Sequence, residues 1–122
     1  MIDKNFLVHD EFETKTSSEL IEIVDCGLLT ERARAIFFLG KLCENEEEII
    51  PQVVERIFDL KHKTAKLLGT VTVSFLGVGG LAKANTYNTD KVVNDFVRTL
   101  SDDERRDFLD FLEQFDFNNV DT

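Results

Sequence analysis

At 122 residues the chain is expected to form one domain, because a second core at this length would be too small to hold itself together. Hydrophobic residues make up 43%, with eleven Phe and one Pro, more apolar side chain than a disordered acidic tail carries. Twenty-four acidic residues against fourteen basic ones leave a formal charge of −10, which repels nucleic-acid phosphates and anionic lipid surfaces and attracts a cationic protein instead.

Residues 1–14 are expected to be a flexible end, and Met1 to His9 has no basic region leading into an apolar stretch and a cleavage site, so no secretory signal is expected. Cytoplasm is the expected location. Thr16 and Glu19 have capping-box spacing, and Leu20, Ile21, Val24 and Leu28 follow at helical intervals, predicting a first helix over 17–27. Thr30 is the expected cap of a second, ending near Glu44, with Ala33, Ile36, Phe37, Gly40 and Cys43 along one stripe.

Asn45 and Glu48 repeat the capping-box spacing and predict a third helix over 47–59, with Ile50, Val53, Val54, Ile57 and Phe58 on its apolar face. Pro51 requires that this helix begin near Ile50 or kink there. The 16 residues from Leu67 to Ala82 contain no charge, and Thr70 to Phe75 alternates as a strand would. A buried helix is expected there on context, since an isolated strand would lack a partner, but the strand alternative stays open. The stretch is too short and glycine-rich to span a membrane; Gly77, Gly79 and Gly80 are expected to permit close helix packing or to end the helix.

Thr89 is the expected cap of a helix bearing Val92, Val93, Phe96, Val97 and Leu100. Ser101 with Glu104 forms a further capping box, opening a helix with Phe108, Leu109, Leu112 and Phe115 on its apolar face, and residues 117–122 should fray. The sum is an all-α fold of about six helices in antiparallel hairpins, HEAT-like or an irregular bundle.

Two partial echoes accompany this pattern: Val53-Val54-Glu55-Arg56 with Val92-Val93-Asn94-Asp95, and Phe38-Leu39-Gly40 with Leu67-Leu68-Gly69. With Glu31 to Leu42 followed by Ile49 to Val54, they resemble the inner helix of one HEAT-type repeat leading into the outer helix of the next. By size, charge and class the chain is also similar to the immunity proteins of contact-dependent growth inhibition and bacteriocin systems. That similarity implies a cytosolic inhibitor of a basic nuclease-type toxin, and it transfers no residue roles.

Chemistry-bearing patterns are sparse. His9 and His62 lack metal-ligand spacing, Gly77-Val78-Gly79-Gly80 lacks the lysine of a phosphate loop, and no catalytic triad order is present, so no enzyme activity, metal or cofactor is expected. Cys26 and Cys43 are expected to be buried free thiols on adjacent helices. Charge is uneven: residues 1–30 hold seven acids against two bases, 61–90 one against four, and 91–122 nine against four. The expected partner-binding face is therefore Asp102, Asp103, Glu104, Asp107, Asp110, Glu113 and Asp116, of which Asp103, Asp107 and Asp110 share one side of a helix. The second candidate is the run Glu44 to Glu48, including Glu46 and Glu47, whose simpler explanation is a helix N-terminus favouring acids. Covering a toxin's active site with such a surface is the first expected function; gripping a peptide or subunit in an apolar groove is the alternative, and the oligomeric state is left open.

Overall fold

Reciprocal side-chain caps set where several helices begin in the computed structural model of the chain, which describes residues 10–114. The expectations for Phe115, for Asp116 and for fraying of 117–122 lie outside the described residues. A single turn, α1 (Asp10–Glu13), opens the described chain, and Phe12 is buried with its ring stacked on Phe38 at 6.2 Å. Residues 10–13 are thus not the free end expected, because one aromatic anchor suffices to seat them.

α2 (Ser17–Cys26) begins as predicted: Thr16 N–H donates to Glu19 Oε1 at 2.9 Å and Glu19 N–H donates to Thr16 Oγ1 at 3.2 Å. α3 (Leu29–Leu42) is not capped by Thr30. The chain is still extended at Leu28, whose N–H donates to Glu31 Oε1 at 3.2 Å, so the helix starts one residue before the expected cap. Nor does Asn45 cap the next helix. Its N–H is spent on Leu42 O in the turn leaving α3, and a 3₁₀ turn, Glu47–Ile49, leads into α4 (Ile50–Ile57) with Pro51 in the first turn.

After α5 (Leu60–Thr64) the chain makes a hairpin of β1 (Lys66–Leu68) and β2 (Val71–Thr72), turning at Gly69 with φ +60°. α6 (Val73–Ala84) follows directly, with Thr72 Oγ1 accepting from Phe75 N–H at 3.1 Å. The uncharged segment is therefore strand at its start and buried helix for the rest: the missing partner strand is supplied by the residues just upstream through a tight turn. Gly77, Gly79 and Gly80 lie inside α6 and do not end it; Asn85, in the left-handed region at φ 53°, does.

α7 (Tyr87–Arg98) is capped by Thr86, not Thr89, which occupies the third helical position and exchanges hydrogen bonds with Thr86 in both directions. α8 (Asp102–Gln114) opens on the predicted box, Ser101 N–H donating to Glu104 Oε1 at 2.8 Å. The fold is an all-α helical bundle with eight α-helices among the described residues; α1 and α5 are single turns, too short to leave a periodic signal.

α6 is the axis. It is buried without interruption from Val73 to Leu81, and its contact with α3 is the most extensive among the described elements. α2 covers the other side of α3, while α4, α5, α7 and α8 pack around α6. Phe75 meets Phe96, Phe108 and Phe111 at 5.1–6.4 Å between ring centres, fastening α7 and α8 to it. Arg56 joins α4 to α2 through a two-pronged pair with Asp25 at 2.8 and 2.9 Å, which holds the Asp25 carboxyl below its usual range.

A Cβ at Gly80 would lie 2.1 Å from Phe37 O, and one at Gly40 2.7 Å from Gly77 O, so backbone meets backbone at this crossing. Gly80→Ala should destabilise the fold by about 3 kcal/mol or more, since a main-chain atom cannot yield as a flexible side chain does. Gly69→Ala, in open space, should cost only about 1 kcal/mol for its positive φ. Urea unfolding of the two variants checks this; equal losses would mean that the crossing is not as close as described.

Candidate protein interface

The outer surface of α8 carries most of the acids singled out from the sequence, and the fold divides them into engaged and unengaged groups. Asp103 Oδ1 accepts from Arg106 Nη2 at 2.7 Å and Asp102 lies 3.8 Å from Arg105 Nη1, so two of the six are offset one turn later on the same helix. Glu104 is committed to the cap, and its carboxyl is held below the usual range by the Ser101 backbone N–H, then by the Ser101 hydroxyl. The carboxylates of Asp107, Asp110 and Glu113 have no hydrogen bond or ion pair among the described residues.

Asp103 and Asp110 are exposed on the side away from Phe108, Phe111 and Leu112, as expected. Asp107 departs from that expectation: it is half-buried at the helix flank and lines a crevice of about 130 Å³ with Glu104, Lys63, Lys66 and Thr70. Leu109 was assigned to the apolar face but is 51% exposed, and Phe111 takes its place in the core. The shift follows from helical geometry, because Phe108, Phe111 and Leu112 form a tighter stripe than a set including Leu109.

The second acidic segment lies between α3 and α4. Glu47 and Glu48 precede α4, where the positive end of a helix favours them. Glu44 and Glu46 do not share that explanation: they follow Cys43, the residue that closes α3, at the negative end of that helix. Neither carboxylate has a hydrogen bond or ion pair among the described residues, whereas Glu47 Oε1 accepts from Asn88 Nδ2 at 2.7 Å.

The remaining singled-out residues have structural roles. His62, expected at the surface or satisfied, is buried at 2% exposure, and its Nδ1 donates to Arg56 O at 2.9 Å. Ser74 Oγ donates to the neighbouring Ile57 O at 2.7 Å, so side chains from α5 and α6 satisfy carbonyls at the end of α4. His9 lies outside the described residues. No group of three or more His, Cys, Asp or Glu side chains among the described residues could hold a metal ion, and no helix among them is long and apolar enough to cross a membrane.

Only one thiol is buried. Cys43 is fully enclosed, with Sγ directed at Leu39 O at 3.6 Å, and burial pushes its pKa up to about 12, aided by the charges of Glu46, Glu47 and Glu48. Cys26, expected to be buried, is exposed at the end of α2, because the inward stripe of that helix is Leu20 and Val24.

Two clefts had no sequence signal, since each is assembled from separate elements or from exposed polar residues. One, about 230 Å³, has Phe12, Leu20, Phe38 and Leu42 as its apolar floor and Glu13, Lys15, Lys41 and Glu44 among its rim residues. The other, about 320 Å³, runs along α7 beside Tyr87. Comparison with protein-family models, curated proteins and solved structures gives no match.

Two outcomes follow from this arrangement. Alkylation of the native protein should modify one thiol, Cys26, and reach Cys43 only in denaturant; equal reaction of both in the folded state would contradict the burial of Cys43. Replacing Asp103, Asp107 and Asp110 together by Asn should change the unfolding free energy by less than about 1 kcal/mol. A loss of more than about 2 kcal/mol would show this face to be part of the fold's own support.

Proposed function

We propose that this chain is a protein-binding inhibitor that meets a cationic protein through carboxylates, in the manner of an immunity protein covering the active site of a basic, nuclease-type toxin. The observation that carries the reading is the placement of Glu44 and Glu46 at the carbonyl end of α3. Acids there oppose the helix dipole, at a cost of roughly 0.3–1 kcal/mol each, and neither carboxylate forms a hydrogen bond or ion pair among the described residues, although Lys41 lies in the last turn of α3. A fold selected for stability alone would not hold them, so a use outside the fold accounts for them better. Asp110 and Glu113 add unengaged charge on α8, and a basic enzyme that grips phosphates presents the groups such carboxylates would engage. The reading places the chain in the cytoplasm and gives it no catalytic role of its own.

A second reading, a small helical-repeat adaptor, draws support from the apolar cleft floored by Phe12, Leu20, Phe38 and Leu42. Salt separates the two. Once a partner is captured from cells expressing the chain, stopped-flow association should be measured at low and physiological ionic strength. A basic partner is expected, inhibited in phosphodiester cleavage and associating at least tenfold more slowly at the higher salt. A rate indifferent to salt, or a neutral partner, overturns the inhibitor reading and favours the adaptor. The Glu44→Gln, Glu46→Gln double variant should gain roughly 0.6–2 kcal/mol in stability while binding less tightly; a loss of stability would show that these carboxylates serve the fold.

A further inference from the structure

The crevice of about 130 Å³ beside α8 is the most enclosed of the three clefts described, and the hairpin and the helices from α5 to α8 converge on it. Phe75 of α6, Phe96 of α7 and Leu100, all buried, give it an apolar floor. Lys63 of α5 and Lys66 of β1 bring two ammonium groups to its lining, and Glu104 and Asp107 of α8 bring two carboxylates. Charges of opposite sign so gathered would ordinarily close into ion pairs, yet none joins either lysine to either acid among the described residues. Lys63 and Asp107 are half-buried as well, so each gives up part of its hydration with no partner in return. The Lys63 charge does reach α8: after the Ser101 backbone N–H and hydroxyl, it helps to hold the Glu104 carboxyl below its usual range.

A ligand of one charge would answer the lysines or the acids and leave the other pair bare. A zwitterion answers both, its carboxylate meeting the ammonium groups and its own ammonium meeting Asp107 and the Glu104 oxygen that the cap leaves unused, since Ser101 N–H takes only Oε1. Hydroxyls extend the match. Thr72 Oγ1 already accepts from Phe75 N–H, which leaves its O–H to donate, and Thr70 adds an exposed one. Size narrows the choice further: a cavity of about 150 Å³ accepts a benzene-sized molecule, so roughly five to seven non-hydrogen atoms fit here. The smallest amino acids are of that size, and the apolar floor suits their one or two carbons that carry no charge.

We infer that this crevice binds a small zwitterionic amino acid, clamped between α8 and the segment from Lys63 to Thr72. The site draws on none of the carboxylates on which the proposed partner binding rests. The test is an NMR titration of the full chain with glycine, L-alanine and L-serine, and with ethylamine and propionate, which carry one charge each. Expected are saturable shifts with at least one of the amino acids, centred on residues 63–72 and 104–107, and binding of either single-charge compound weaker by about tenfold or more. Asp107→Asn and Lys63→Gln should each weaken the amino acid by roughly tenfold while leaving the urea midpoint of the free protein nearly unchanged. No saturable shift with any of the amino acids, shifts centred elsewhere, or equal binding of ethylamine or propionate would overturn the site. A large loss of stability in both variants would overturn it too, by showing that these charges answer one another across the crevice.

Discussion

The contact between Gly40 of α3 and the Gly77 to Gly80 segment of α6 is the constraint on which the remaining structure depends. No side chain separates the two backbones there, so Ile36, Phe37, Leu76 and Leu81 are free to fill the space around the crossing. Close approach fixes the angle and depth at which α6 runs through the molecule. Everything that packs on α6, from α4 and α5 on one part to the Phe96 and Phe108 rings of α7 and α8 on another, inherits that position.

The ends of the elements around this crossing are closed by side chains brought from elsewhere. His62 and Ser74 take up the carbonyls at the end of α4, and Val73 N–H donates to Ala65 O at 3.0 Å where the hairpin feeds α6. Buried polar groups are stable only when paired, so these bonds hold α4, α5 and the hairpin in one arrangement. His62 is paired through Nδ1 alone, and its buried Nε2 has no hydrogen-bond partner among the described residues.

The charged surface divides along the same line. Glu19, Glu31 and Glu104 close helix beginnings, Asp25 clamps Arg56, and Asp102 and Asp103 are answered by arginines one turn away. These acids have work within the fold and are weak evidence of binding. The carboxylates that remain are Glu44, Glu46, Asp110 and Glu113 among those proposed to meet a partner, together with the half-buried Asp107. A net charge of −10 is therefore a poor guide to the interface by itself; which charges the fold already uses decides the matter.

Periodicity in the sequence was sufficient for the long helices. The apolar stripe of α3, Leu20 and Val24 of α2, the Ser101–Glu104 box of α8 and the cap at Thr16 are local signals that agree with the tertiary structure because burial of those stripes is what the fold requires, whereas Leu28, expected on the first stripe, is 74% exposed because α2 ends at Cys26. The helices starting at Leu29 and Tyr87 begin two and three residues before the positions that caps at Thr30 and Thr89 imply, because a threonine alone does not mark a cap; the backbone N–H its hydroxyl must accept from depends on where the chain turns. The hairpin at residues 66–72 was hidden because its pairing partner lies within the same short segment, and the buried His62 and exposed Cys26 because burial depends on which neighbour covers a helix face. The hydrogen bond from Asn88 to Glu47 could come only from tertiary structure: partners 41 positions apart leave no periodic trace in the chain.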